Sequence, residues 1–198
     1  IVIGDWSSDV CSSDLGSKMA NVYDVADFFI DVCNNSTDDQ ITNLKLNKLL
    51  YYAQGCHLAR TGKPLFDDKI EAWKLGPVTP TIYHRYSVCG KNPISKTGDD
   101  YSGTVFSPEE LDTLTDVMRE FGKYTGSALV SMTHKAGTPW SSACTENEKE
   151  ITQASMKKYF EENPVPRAGK LFEQIPIADK LPSDWYDPEE DSEWEAYL

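Results

Sequence analysis

The chain has 198 residues, with 32 acidic against 19 basic side chains and a formal net charge of −13. That length suits one domain, or two at most, and lets roughly 70% of the extended surface be buried without disulfides or metal. The acidic balance repels a phosphate backbone, disfavours nucleic acid as the direct partner and suits a basic protein.

Asp5–Leu15 reads DWSSDVCSSDL and resembles the translation of a sequencing adaptor. Ser and Asp dominate it and no apolar period runs through it, so disorder is expected. It lacks the basic start and continuous apolar stretch of a signal peptide. Residues 1–18 are therefore set aside as an artefactual segment, with Met19 as the expected native start and a net charge of −11 from there on.

Asn21 is placed to cap a helix from Val22 to about Cys33, with Val22, Val25, Ala26, Phe29 and Cys33 as its buried stripe. A polar loop, Asn34–Gln40, follows. The second helix runs from about Thr42 to Thr61. Leu46, Leu49, Leu50, Ala53 and His57 form its apolar face at helical spacing, and Lys45 and Lys48 fall off that stripe, as solvated rims. Gly62-Lys63-Pro64 breaks the helix. Lys69–Leu75 is the best strand candidate, and Gly76-Pro77 is expected to turn the chain. Thr79-Pro80 opens a short helix through Tyr86, with Pro80 where its missing N–H costs nothing. Ser87–Phe106 reads as loop, with room for a hairpin ending at Thr104-Val105-Phe106.

Ser107-Pro108-Glu109-Glu110 is a capping box with proline at the first helical position. The helix it opens is expected to bury Leu111, Leu114, Val117, Met118 and Phe121 and to stop at Gly122. Another helix covers about Ser127–Lys135. Gly137-Thr138-Pro139-Trp140 reads as a sharp turn with an anchoring indole. Ile151–Glu162 is the last helix, with Ala154, Tyr159 and Phe160 on its inner face. The fold class is mainly α: a single helical domain over 19–165 with a small β-strand or hairpin element, then an extension over 166–198. From Asp184 to Glu195 that extension carries seven acids and no base, interleaved with Trp185, Tyr186 and Trp194. It reads either as a solvating end or as a docking segment whose tryptophans are partner anchors.

No chemical motif stands out. From Met19 on there are four cysteines, Cys33, Cys56, Cys89 and Cys144. Their wide spacing forms no zinc or disulfide framework and fits a reducing cytosol. His57, His84 and His134 could join them in a metal site only by chance of folding, and no cofactor is expected. His134 with Ser131, Ser141 or Cys144 is a conceivable nucleophile–base pair, but no elbow surrounds it. Lys45 and Lys48 with Tyr51 and Tyr52 are the only candidate basic–aromatic surface for nucleic acid. No glycine-rich phosphate loop occurs, and no apolar run reaches the roughly 18–20 residues of a membrane span.

Taken together, a set of short motifs resembles the Panacea domain, the SocA-like antitoxin domain also found in phage-associated proteins. They are Tyr23-Asp24-Val25-Ala26 with Phe29; Leu44-Lys45-Leu46 with Lys48-Leu49-Leu50-Tyr51-Tyr52-Ala53-Gln54; Pro64-Leu65-Phe66; Glu71-Ala72-Trp73 with Gly76-Pro77-Val78 and Tyr83; and Leu129, Thr133-His134 and Pro139-Trp140. The resemblance implies a cytoplasmic, non-enzymatic antitoxin that binds and neutralises a cognate toxin encoded next to it. It supplies no catalytic residue, and its motif positions read as mostly structural. It also leaves open a proteolytic adaptor that delivers a partner to a cytosolic protease, or a host-interaction protein of a mobile element. A His134-dependent hydrolase is the remaining competitor.

Overall fold

The computed structural model of the chain describes residues 19–36, 41–94 and 106–168. The adaptor-like segment, most of the candidate hairpin before Phe106, and Trp185, Tyr186 and Trp194 lie outside them. The chain divides into two compact units at Pro166/Arg167, and nearly all described residues belong to the first.

Helix α1 (Val22–Ser36) is entered through Asn21, whose Oδ1 accepts the Tyr23 N–H at 2.9 Å. Helix α2 (Asn43–Thr61) is the centre of the fold. Thr42 caps its first turn, accepting the Lys45 N–H at 3.3 Å. Gly62 ends it in the left-handed conformation, φ 74°, and its N–H returns to Leu58 O; a side chain there would be strained. A short antiparallel hairpin follows, β1 (Glu71–Trp73) and β2 (Gly76–Val78), with Ala72 opposite Pro77. Next come α3 (Pro80–Arg85), a 3₁₀ turn at Ser87–Cys89, α4 (Pro108–Phe121), α5 (Gly126–Thr133), α6 (Pro139–Thr145) and α7 (Gln153–Glu162). The expected mainly helical class with a small β element is therefore the fold observed.

The apolar stripe of α2 understates its burial. Every residue from Lys45 to Leu58 is buried, because α1, α4, α5, α7 and β2 pack around it on all sides. Lys45 and Lys48 are thus interior groups, 2% and 0% exposed, and not the solvated rims their spacing suggested. Tyr52 stacks on Phe121 at 3.8 Å, and Phe160 meets Tyr51 and Tyr52 edge-on. Phe160 of α7 lies so close to Gly55 that a Cβ there would fall on its ring, so α2 and α7 touch at near-backbone distance. Buried Gln54 fixes the chain after α2: its Nε2 donates to Phe66 O, and its Oε1 accepts the N–H groups of Leu65 and Phe66.

Four further expectations are corrected. Gly76-Pro77 is not the turn; it begins β2, and the chain turns at Lys74-Leu75. Gly137–Trp140 is not only a turn, because Thr138 caps α6, accepting the Ser141 N–H at 3.2 Å. Leu111 is 45% exposed. At 3.6 residues per turn it lies about a quarter turn from the stripe of Glu110, Leu114, Val117 and Phe121. Ala154 is exposed, since α7 turns Met156 and Phe160 inward and a residue two positions before Met156 faces away.

The other expected caps form. In the α4 capping box, Ser107 N donates to Glu110 Oε2 at 2.7 Å and Glu110 N donates to Ser107 Oγ at 3.3 Å. Buried Asp116 on α4 accepts from Arg60 at 2.8 Å and Arg119 at 2.9 Å. Both guanidinium groups also donate to the chain after α7, to Val165 O and Pro166 O.

Candidate functional site

A group of the motif residues gathers on one side of α2, beneath the hairpin. Buried Lys48 donates from Nζ to Pro77 O at 2.7 Å. Gly76, at φ 98°, makes this approach possible. A Cβ there would stand 2.8 Å from Lys48 Cε and 2.9 Å from Thr133 Oγ1, closer than packed atoms tolerate. Burial lowers the Lys48 amine from its ordinary 10.5 to about 7. Thr133 ends α5, and its hydroxyl donates to Val130 O. His134 follows as the helix cap and stacks face to face on Trp140, 3.8 Å between ring centroids and 2° between planes. The Trp140 indole N–H donates to Trp73 O at 2.9 Å, tying α6 to the hairpin. Thr138 Oγ1 donates to Thr133 O at 2.7 Å, and Pro139 is buried at the first position of α6.

The serine hydroxyls near His134 in the chain are engaged within their own helices. Ser131 Oγ donates to Ser127 O, and Ser141 Oγ to Thr138 O; each hydroxyl is spent on its own helix. Cys144 is exposed. The His134 Nε2 is buried and has no hydrogen-bond partner among the described residues. Burial, and then the charge of Lys48, depress its pKa below the ordinary imidazole value. Among the described residues no three His, Cys, Asp or Glu side chains cluster to hold a metal ion. His57 instead faces Thr113 Oγ1 at 3.3 Å.

Leu46, Leu49, Tyr51 and Tyr52 serve the core and not the hairpin contact. With Lys45 and Lys48 also buried, the proposed basic–aromatic face of Lys45, Lys48, Tyr51 and Tyr52 is not an exposed surface. Sequence reasoning missed the asparagine pair that carries the hairpin's far end. Asn47 Nδ2 donates to Asn43 Oδ1 at 2.8 Å, and its own Oδ1 accepts the Thr79 N–H at 2.9 Å. Asn43 Nδ2 donates to Tyr83 O at 3.0 Å. The signal was two amides four residues apart on the helix with the strongest core pattern, where an unpaired amide is costly.

Outside this buried lattice lies a cleft of about 870 Å³. The first turns of α2, the hairpin, Tyr83 of α3, the Ser87–Lys91 turn and the start of α5 line it. Trp73 and Tyr83 form an edge-on aromatic pair at 4.8 Å on its wall. Leu75, at the hairpin tip, is 56% exposed.

Residues 46–141, which hold this lattice, match the family model described as "Antitoxin SocA-like, Panacea domain". Over this region the chain is similar to the SocA-like Panacea domain. The chain is also similar to Antitoxin SocA of Caulobacter vibrioides (strain NA1000 / CB15N), 38% identical over 112 residues. That match covers 52% of this chain and 60% of the relative, so the chain spans somewhat over half of the curated protein it resembles. No solved structure matches it. The Panacea match takes in α2 from Leu46, the hairpin, α3, α4, α5 and the first residues of α6. Within it, Lys48 holds Pro77 of the hairpin to α2, and Trp140, stacked on His134, holds α6 to the hairpin. No helix among the described residues is long and apolar enough to cross a membrane.

Proposed function

We propose that this chain is an antitoxin that binds a cognate toxin and neutralises it by covering its working surface. The similarity of the Panacea region to Antitoxin SocA carries this reading. The internal chemistry supports it. The motif's polar groups are turned toward one another inside the fold, where they make a rigid platform, and the Ser131 and Ser141 hydroxyls are occupied by backbone carbonyls. A rigid platform loses little entropy on association, and neutralisation needs an interface of about 1,200–2,000 Å². The proposed setting is the cytoplasm, with the toxin encoded next to this chain. The test is co-expression with the adjacent open reading frame: growth arrest by that frame alone, rescue by this chain, and co-purification of the two. An adjacent product that is harmless on its own would refute the reading.

A further inference from the structure

Asp116 ties the chain that follows α7 to both α2 and α4. Its Oδ2 accepts from Arg60 Nη2 at 2.8 Å and its Oδ1 from Arg119 Nη2 at 2.9 Å. The same two nitrogens also donate to consecutive carbonyls after α7, Arg60 to Val165 O at 3.2 Å and Arg119 to Pro166 O at 2.8 Å. Each Nη2 has two hydrogens, one for each acceptor. The buried carboxylate therefore holds two guanidinium groups at the spacing of neighbouring carbonyls. The segment suits this grip. Pro164 and Pro166 have no N–H to give, so it has to be held through its carbonyls. Between them Val165 turns its side chain into the core, 8% exposed, while both prolines are exposed. The clamp also stands at the boundary of the two compact units, Pro166/Arg167.

We infer that Pro164-Val165-Pro166 is a strap, closed by the Arg60–Asp116–Arg119 clamp, that opens as a local step while α2, α4 and α7 stay packed. Three features make the step separable. The strap lies beyond Asn163, whose N–H already closes the last turn of α7 on Tyr159 O, so its release breaks no helical hydrogen bond. Its outer grip is Arg119, whose side chain is 43% exposed, where water and salt compete for the ion pair. The prolines keep their φ fixed whether the strap is docked or free, so docking costs little chain entropy and release regains little. Opening lengthens the chain that leaves the first unit by the length of the strap, about 10 Å when extended. The sequence runs on from there through Trp185, Tyr186 and Trp194 to Leu198. The clamp therefore sets how far those residues reach toward a partner that binds them.

Trypsin cleavage after Arg167 reads the opening. A protease takes its substrate extended and pairs with the backbone of the residues before the cut, and the Val165 and Pro166 carbonyls are occupied while the strap is closed. With opening and closing fast against cleavage, the rate follows the open population. The full chain is compared with three variants. Arg119→Met removes the outer grip, and Val165→Ala shrinks the apolar anchor. Lys123→Met is the control, a cation of α4 that pairs with Glu120 and not with the strap. Mass spectrometry gives the ratio of products ending at Arg167 to those ending at Lys170, a site beyond the strap. The ratio should rise about tenfold in Arg119→Met and in Val165→Ala, from the loss of one bond to a charged group or of buried methyl groups. It should stay unchanged in Lys123→Met. Equal ratios for all four chains overturn the proposal. So does a rise matched by Lys123→Met, which would be an effect of charge alone. Cleavage at Lys157 and Lys158 of α7 in step with Arg167 also overturns it, because the strap would then open only with the domain.

Discussion

Lys48→Met removes a fully buried amine at the centre of the motif. In the folded chain its pKa is about 7, against 10.5 when exposed. Between those values the unfolded state binds more protons than the folded state, so stability rises with pH across that window. At about 1.4 kcal/mol per unit, the parent chain should gain roughly 2 kcal/mol from pH 7 to pH 9 through this group. The variant has no amine to desolvate and should lose that slope. Near pH 7 it escapes a penalty of about 4 kcal/mol but strands Pro77 O without a donor, at a cost of about 1–3 kcal/mol. The net change there is a small stabilisation that reverses toward pH 9. Urea midpoints followed by tryptophan fluorescence at pH 7, 8 and 9 measure this, and the parent-minus-variant difference cancels the titrating groups that do not interact with Lys48. His57 and His134, both shifted below 6.5, titrate beneath the window. A difference that stays constant from pH 7 to pH 9 would refute the assignment of Lys48 as a desolvated amine.

Gly55→Ala should destabilise the chain by about 1–3 kcal/mol, because the new methyl meets the Phe160 ring and α7 must move; an unchanged thermal midpoint would contradict the close α2–α7 contact. Asp116→Ala leaves Arg60, whose side chain is 12% exposed, without its carboxylate. A loss of about 3–5 kcal/mol in denaturant titration is expected, with part recovered when Arg60 is also changed to Met. Deleting Pro182–Leu198 should slow association with the partner about tenfold at low salt if the acidic aromatic tail docks. Unchanged rates in surface plasmon resonance would leave the tail as a solvating end.

Local rules account for the parts of the fold that depend on neighbours in the chain. Ser107 to Glu110, Pro80 after Thr79, and Gly62 after α2 mark helix ends because a cap or a left-handed glycine is decided within four residues. The resemblance singled out Lys48, Gly76-Pro77 and Thr133 to Trp140, and these residues meet in the structure around the hairpin. What they do was legible only after folding. The burial of Lys45 and Lys48 follows from the several elements packing around α2, which no periodicity within α2 encodes. Stacking of His134 on Trp140 and the indole bond to Trp73 O join residues 67 positions apart at their widest. The cleft is likewise a tertiary product, because folding brings the first turns of α2, the hairpin, the Ser87–Lys91 turn and the start of α5 to one concavity that no stretch of the chain encodes alone.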